Sequence, residues 1–430
     1  MMMPQKPLSP CRTVITSFTP RKPLQPAPDG IAASAFEEGD WVLCLTTDRE
    51  GYQESTSTSS QNSPETLACA LSNGEIQIYD TQRLHVACSF SDGTSRQQTD
   101  AMITDIQYGP QHSLVSTSQN GCVDIYDLRQ SQLGGQAKLP SGQQALCATF
   151  GFDGYLTAIG SSKARIHFYD LRKPSTILGS YVDSHRDDIT QIAFSQTVPG
   201  LLLSGSEDGL MCIFDTTQPT EETALRCVMN ASAPVRKMGF CGNTGTIYCL
   251  TGNETISLWN SENASLIHDF GWNTRQQLVQ SALSTPSLLN SIDYLVDASW
   301  NNGKLLLLAG GTTTSPQAGN CALFSVTSSG ETTTGSGNIV PSSWNFQHLQ
   351  SLAGGHRGIV RAWSPLYPST LATAGEDARI CEWQTDPSKV QQQPAPPIIG
   401  PSTTPLGKRG VAGGGGPARR QRHKKSTSPY

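Results

Sequence analysis

No Cys-x-x-Cys pair occurs among the twelve cysteines of this 430-residue chain, and its eight histidines are scattered. Zinc sites need clustered ligands, and a disulfide framework suits a short secreted chain. The thiols lie mostly in apolar, strand-like runs, so they are expected to be buried and reduced, as in a cytosolic or nuclear protein. Long apolar runs are also missing. Stretches such as Leu305 to Ala309 fall far short of the ~20 residues of a membrane helix. Met1 to Pro10 has no apolar core of a secretion signal. Gly413 to Gly416 has no strand before it and no Lys-Ser/Thr after it, so it reads as a linker and not as a phosphate loop. The expectation is therefore no metal, no cofactor and no membrane. Charged residues make up only 15% of the chain, but the 36% hydrophobic fraction is too high for a wholly disordered one.

The charge that is present is segregated. Ser388 to Tyr430 holds eight Lys/Arg and no acid, and Met1 to Pro28 holds four (Lys6, Arg12, Arg21, Lys22) and no acid. Removing these twelve from the total of 30 leaves 18 basic against 35 acidic residues in the body, a net of −17. Duplex nucleic acid is held by neutralising phosphates, so such a body is poorly suited to it. A basic protein partner suits it better.

Length alone suggests two or three domains at roughly 150 residues each, but internal repeats replace that estimate. An apolar segment ending in an aromatic and an Asp or Asn recurs as Ile76-Gln-Ile-Tyr-Asp80, Val123-Asp-Ile-Tyr-Asp127, Ile166-His-Phe-Tyr-Asp170, Met211-Cys-Ile-Phe-Asp215 and Ile256-Ser-Leu-Trp-Asn260. The spacings are 47, 43, 45 and 45 residues, and weaker copies follow at Ala322–Phe324 and Ile380–Trp383. Before each copy come an alternating strand, a small-residue strand and a turn, as in Ile189 to Phe194 and then Leu201 to Gly209. This unit of about 45 residues is the blade of a WD-repeat propeller. A lone blade cannot bury both of its faces, so the copies stack around a channel. The fold expected is an all-β, seven-bladed β-propeller of WD repeats with flexible basic N- and C-terminal tails. Residues 1–30 form the first tail with a ring-closing strand near Thr13 to Phe18, 31–387 the propeller, and 388–430 a disordered basic tail.

Two copies carry the internal polar positions: His185, Ser204 and Asp208 with Phe214 in the fourth, and the complete set His356, Thr373, Asp377 and Trp383 in the seventh. Buried indole, hydroxyl and imidazole groups need partners, and a carboxylate at the turn can accept from the imidazole. Phe214 lacks the N–H that ends the chain. A Ser/Thr-His-Asp grouping also suggests a hydrolase, but its recurrence at one repeat position in two blades favours a structural network and no enzyme. Other stretches depart from the repeat. Asp48 to Pro64 reads as a long loop. Thr312 to Gly319 and Thr327 to Gly337 read as insertions, and Arg275 to Leu283 as a short helix. Such irregular segments are better partner sites than the regular blades.

Ser184-His-Arg-Asp-Asp-Ile-Thr-Gln191, Ser204 to Leu210, Asp293-Tyr-Leu-Val296, Gly354-Gly-His-Arg357 and Gly375-Glu-Asp-Ala378 together resemble the WD repeat-containing protein 89 family across the blades. That resemblance implies an interaction protein and little chemistry. Tyr126-Asp-Leu-Arg129 and Tyr169-Asp-Leu-Arg172 also resemble the docking string of propellers that serve cullin-4 ubiquitin ligases. Arg129 and Arg172 would supply the adaptor contact; the plainer reading is solvated surface charge. In the C-terminal tail, Lys408-Arg409 and Arg419, Arg420, Arg422, Lys424 and Lys425 flank a Gly/Ala/Pro spacer. A bipartite nuclear import signal read by an importin is the first reading of these clusters. Weak RNA contact through the tail is the second, and a solubilising tail the third. Ser426, Thr427 and Ser428 beside it are positions where phosphate would weaken a basic signal. The function expected is a non-enzymatic scaffold, nuclear and also cytoplasmic, that binds a basic client such as a histone or ribosomal protein. The alternative is a cullin-4 substrate receptor.

Overall fold

The computed structural model describes residues 9–15, 40–48, 66–90, 102–110, 112–151, 154–282, 291–301, 303–312, 319–333, 339–367 and 369–385. The import-signal residues Lys408 to Lys425, the neighbouring Ser426 to Ser428 and most of the 48–64 stretch lie outside them.

Strand formation follows the period-two pattern, and the strands associate as seven antiparallel sheets of four. Blade one is β2 (Val42–Thr47), β3 (Thr66–Leu71), β4 (Ile76–Asp80) and β5 (His85–Phe90). Blade two is β6 (Ile103–Gly109), β7 (Ser113–Ser118), β8 (Cys122–Asp127) and β9 (Gln132–Lys138). Blade three is β10 (Ala145–Phe150), β11 (Leu156–Ser161), β12 (Arg165–Asp170) and β13 (Ile177–Tyr181). Blade four is β14 (Ile189–Phe194), β15 (Leu201–Ser206), β16 (Leu210–Asp215) and β17 (Leu225–Asn230). Blade five is β18 (Val235–Phe240), β19 (Thr246–Thr251), β20 (Ile256–Asn260) and β21 (Leu266–Asp269). Blade six is β22 (Tyr294–Asn301), β23 (Lys304–Gly311), β24 (Asn320–Thr333) and β25 (Ile339–Leu352). Blade seven is β26 (Val360–Tyr367), β27 (Thr370–Gly375), β28 (Arg379–Gln384) and, from the other end of the chain, β1 (Arg12–Ile15).

The seven first strands pack against one another in ring order, and β2 meets β26 to complete the circle. The core is divided accordingly into one apolar cluster per blade interface. Ile166, Phe168 and Ile189 meet Leu202 and Phe214 between blades three and four, for example, and Leu308, Leu323 and Leu352 meet Trp363 and Trp383 between six and seven. Second and third strands have neighbours on both faces, so they read as continuous buried runs; every residue of β15 is buried. Outer strands alternate instead, as in β17.

A bulge interrupts every first strand at the same place. Leu43, Thr104, Leu146, Thr190, Arg236, Val296 and Arg361 are each skipped in the pairing with the second strand. A bulge sharpens local twist and re-aims a side chain. The repeated bulge thus sets which residues face the channel and which its rim.

Ring closure uses the edge of β28. Residues Arg12 to Ile15 pair antiparallel with Glu382 to Arg379, and the Cys11 N–H donates to the Glu382 carbonyl at 2.8 Å. Arg12 ion-pairs with Glu382 and donates to the Thr81 carbonyl of blade one at 3.3 Å, so one side chain joins the last blade to the first. The Ser/Thr/Gly-rich stretch read as an insertion at 327–337 lengthens the outer strands of blade six, which run to 14 residues each. Strands β24 and β25 stay paired from Cys321–Leu352 out to Thr333–Ile339, so it is a long hairpin. Thr is a good strand former, and backbone pairing does not require an apolar side chain.

Candidate functional site

In blade seven, Trp383 Nε1 donates to Thr373 Oγ1 at 2.7 Å, which lies 2.7 Å from His356 Nε2, and His356 Nδ1 lies 3.1 Å from Asp377 Oδ1. In blade four, Ser204 Oγ is 2.7 Å from His185 Nε2, and His185 Nδ1 is 3.3 Å from Asp208 Oδ2. Each carboxylate also accepts the next N–H of the loop, from Arg357 at 2.7 Å and Arg186 at 2.8 Å, so it holds the loop onto the turn. Both hydroxyl residues, Ser204 and Thr373, are 0% exposed. Both hydroxyls are sealed from solvent and spend their hydrogen bonds inside their own blades, which is what a structural network requires.

Other blades satisfy the same aromatic position differently. Tyr79 Oη donates to Gln77 Oε1 at 2.7 Å and Trp259 Nε1 to Ser257 Oγ at 2.8 Å, each to a residue two back on its own strand. Blade three holds a network the sequence reading missed: His167 lies between Ser180 Oγ and Gln143 Oε1, 2.7 Å from each. A histidine inside the apolar run Ile166 to Tyr169 was the available signal.

Arg129 and Arg172 sit at matching turns after β8 and β12. Each closes a bidentate pair on its own repeat's aspartate, Arg129 on Asp127 at 3.1 and 3.0 Å and Arg172 on Asp170 at 2.9 and 2.7 Å. Arg172 additionally lies over the Tyr155 ring, 4.5 Å from its centroid. Its hydrogen bonds hold the Asp170 carboxyl down at about 2.

Each blade is a four-stranded meander, so the turns between second and third strands share one face of the ring with the connections to the next blade. We call it the upper face. On it, Asp187 and Asp188 precede β14 and Glu207 stands in the following turn. Burial, and then the charges of Asp187 and Asp188, raise the Glu207 carboxyl. The connection is held in shape from below by Glu221 of α1 (Glu221–Ala224), whose carboxylate accepts the N–H groups of Val182, Asp183 and Ser184. Between blades five and seven the same face has a cleft of about 300 Å³ lined by Arg236, Glu254, Tyr294, Val296, Val360 and Arg361, among others. Its residues come from three blades, and no local motif announced it.

The channel strands carry charge just past the bulge: Asp105, Lys237 and Asp297. Lys237 Nζ is 3.8 Å from Asp297 Oδ2. Asp105 accepts the N–H groups of Ile106 and Ala148, and burial pushes its carboxyl up to about 6. The helix expected at 275–283 is α2 (Thr274–Ala282), preceded by a 3-10 turn in which Trp272 is 78% exposed.

Four-stranded blades closed into a ring, with buried His–hydroxyl–carboxylate networks, define a WD-repeat β-propeller. The family model for the WD domain, G-beta repeat, matches residues 176–215, which run from the outer strand of blade three through β16. The chain is 27% identical over 331 residues to the WD repeat-containing protein GTS1 of Arabidopsis thaliana, covering 74% of this chain and 78% of that protein. It is 25% identical over 332 residues to the WD repeat-containing protein 89 homolog of Dictyostelium discoideum, covering 76% and 81%. Among solved structures, a chain of the crystal structure of the mitotic checkpoint complex has a TM-score of 0.54 at 14% identity, over 74% of this chain and 84% of its own. The chain is a seven-bladed β-propeller with a WD repeat at residues 176–215, and it is similar over about three quarters of its length to the WD repeat-containing protein 89 homolog of Dictyostelium discoideum.

Proposed function

We propose that this propeller is a non-enzymatic, mainly nuclear scaffold that holds a basic protein partner on its upper face. Propellers of WD repeats serve in general as protein-interaction platforms. The observation that carries the finer reading is that Asp187 and Asp188, on a connection fixed by Glu221, act on Glu207 of the neighbouring turn. Like charges held together cost free energy in the unbound protein, and a basic ligand relieves that cost. The net −17 of the body points the same way and would steer such a ligand at long range. The basic clusters at Lys408-Arg409 and Arg419 to Lys425 support import by an importin. Purification of partners by affinity, with mass spectrometry, tests the reading. A basic client released by moderate salt, and lost on the combined change Asp187→Asn, Asp188→Asn, Glu207→Gln, is the expected result. A client whose capture ignores both salt and these changes overturns it.

A second reading rests on the repeated Asp-x-Arg turns. Both guanidinium groups are more than half exposed (59% and 64%) although paired, which leaves a flat cationic face in two adjacent blades for a cullin-4 ligase adaptor. An adaptor among the purified partners that disappears with Arg129→Ala and Arg172→Ala would favour this assignment.

A further inference from the structure

We propose that the cleft between Arg236 and Arg361 is a separate recognition site that takes an acidic side chain, flanked by aliphatic residues, from a partner polypeptide. Of the seven bulge residues on the first strands, only these two are charged, and they flank the one on blade six, Val296, which is 4% exposed.

The charges of the cleft lining balance, Arg236 and Arg361 against Glu254 and Asp293, but the two signs are not equally exposed. Arg236 pairs with Glu254 at 2.9 Å and Arg361 with Glu376 at 2.7 Å. In both pairs the cation is the exposed partner: the arginine side chains are 43% and 44% exposed, the glutamates 17% and 19%. The carboxylates face inward and are committed to the protein. Glu254 also accepts the Leu295 N–H, and Asp293 at the cleft wall accepts from the backbone and hydroxyl of Thr312. Each arginine thus keeps exposed surface and further N–H groups besides those in its pair, and a guanidinium suits a carboxylate.

The floor is apolar: Leu295, Val296 and Val360 are all at most 4% exposed. Tyr294 is held beneath by accepting the Val360 N–H at 3.0 Å, so the floor of the cleft is preformed. At about 300 Å³ the cleft is at the small end of ligand pockets, roughly 300–1,000 Å³. It has room for one or two side chains and not for a folded element. Glu207, with Asp187 and Asp188 beside it, lies within electrostatic reach of Arg236. A polyanion such as RNA would meet that repulsion at every phosphate, whereas a single carboxylate set between aliphatic residues meets it once.

The site can be probed without knowing the natural partner. The full chain is titrated against a fluorescein-labelled, capped Gly-Leu-Glu-Leu-Gly peptide and its Gly-Leu-Gln-Leu-Gly counterpart, with polarisation as the readout. The expected result is saturable binding of the Glu peptide, with the Gln peptide, Arg236→Gln and Arg361→Gln each weakening it by about tenfold or more, the loss of a charge-assisted hydrogen bond. Glu376→Gln frees Arg361 from its pair and should keep or tighten binding. If the ion pair only maintains the fold, Glu376→Gln will fall together with Arg361→Gln, and the proposal fails. It fails equally if both peptides bind alike, if neither binds, or if inorganic phosphate displaces the Glu peptide as well as free glutarate does. Neutralising Asp187, Asp188 and Glu207 should leave Glu-peptide binding intact or stronger, so failure of the basic-client reading is distinguishable from failure of this one.

Discussion

His356 and Asp377 are joined Nδ1 to Oδ1 across 3.1 Å, with 1% of the imidazole and 8% of the carboxylate side chain exposed. Blade four repeats the pair with His185 and Asp208 at 3.3 Å, where the carboxylate is 11% exposed. The two imidazoles nevertheless shift in opposite directions. Burial disfavours the charged ring in both. In blade seven burial is the largest single influence, but Asp377 and Cys381 together outweigh it and raise His356 to about 9, whereas in blade four burial prevails and lowers His185.

Linkage gives the two blades opposite pH responses. An unfolded histidine titrates near 6.5. His356, raised, contributes stability that is fully present below that pH and is lost as pH rises through about 9. His185, lowered, contributes stability that is present above about 6.5 and is lost as pH falls through its folded value. Thermal melts from pH 5 to 10 should therefore show two slopes. His356→Gln should flatten the alkaline one and His185→Gln the acid one. Identical pH profiles for wild type and both variants would refute the assignment.

Asp377→Ala removes the acceptor of His356 and of the Arg357 N–H together. The cost should be about 1–3 kcal/mol, the penalty for orphaned buried donors. Chemical denaturation should show a lower midpoint with an unchanged slope. Asp377→Asn, which keeps one acceptor oxygen, should lose less.

Closure of the ring is tested by Arg12→Ala and by deletion of residues 1–15. The point variant leaves Glu382, 7% exposed, without its cation, and should cost about 1–3 kcal/mol, since the pair is only partly buried. The deletion also bares the edge of β28 along Arg379 to Glu382. Light scattering should then show association, because an open strand edge recruits other strands. A deletion variant that stays monomeric and melts like wild type would argue against β1 as the closing strand.

Deleting Lys408 to Lys425 should shift the protein from nucleus to cytoplasm and leave its melting temperature unchanged. Fluorescence microscopy of a tagged chain reads the first, and calorimetry the second. Unchanged nuclear signal would end the import reading.

What could be read from the sequence was local. Blade number, the order of strands and the two histidine networks follow from a 45-residue period and from residues such as Asp208-Gly209, where the glycine takes φ +79° in the turn. The bulges at Arg236 and Arg361 were not legible, because a bulge is a property of two paired strands and not of one. Nor was the cleft, whose walls come from blades five, six and seven. At 327–337 the composition marked an insertion but not its form, because side-chain composition reports burial and these strands continue on backbone pairing. The His167 network was hidden in an apolar strand, its partner Gln143 lying 24 positions away.

The joining of β1 to β28 links residues 370 positions apart, as Arg12 and Glu382 are. During synthesis β1 is made first and its partner last. A nascent chain therefore carries a strand that must wait, unpaired, until the seventh blade has left the ribosome. Every earlier blade can form from contiguous sequence in the order it emerges. A chain that ended before β28 would hold six complete sheets and a seventh of two strands, with the edge of β27 open and β1 unpaired. That state, and not the finished ring, is where a chaperone or a waiting partner would have the most to hold.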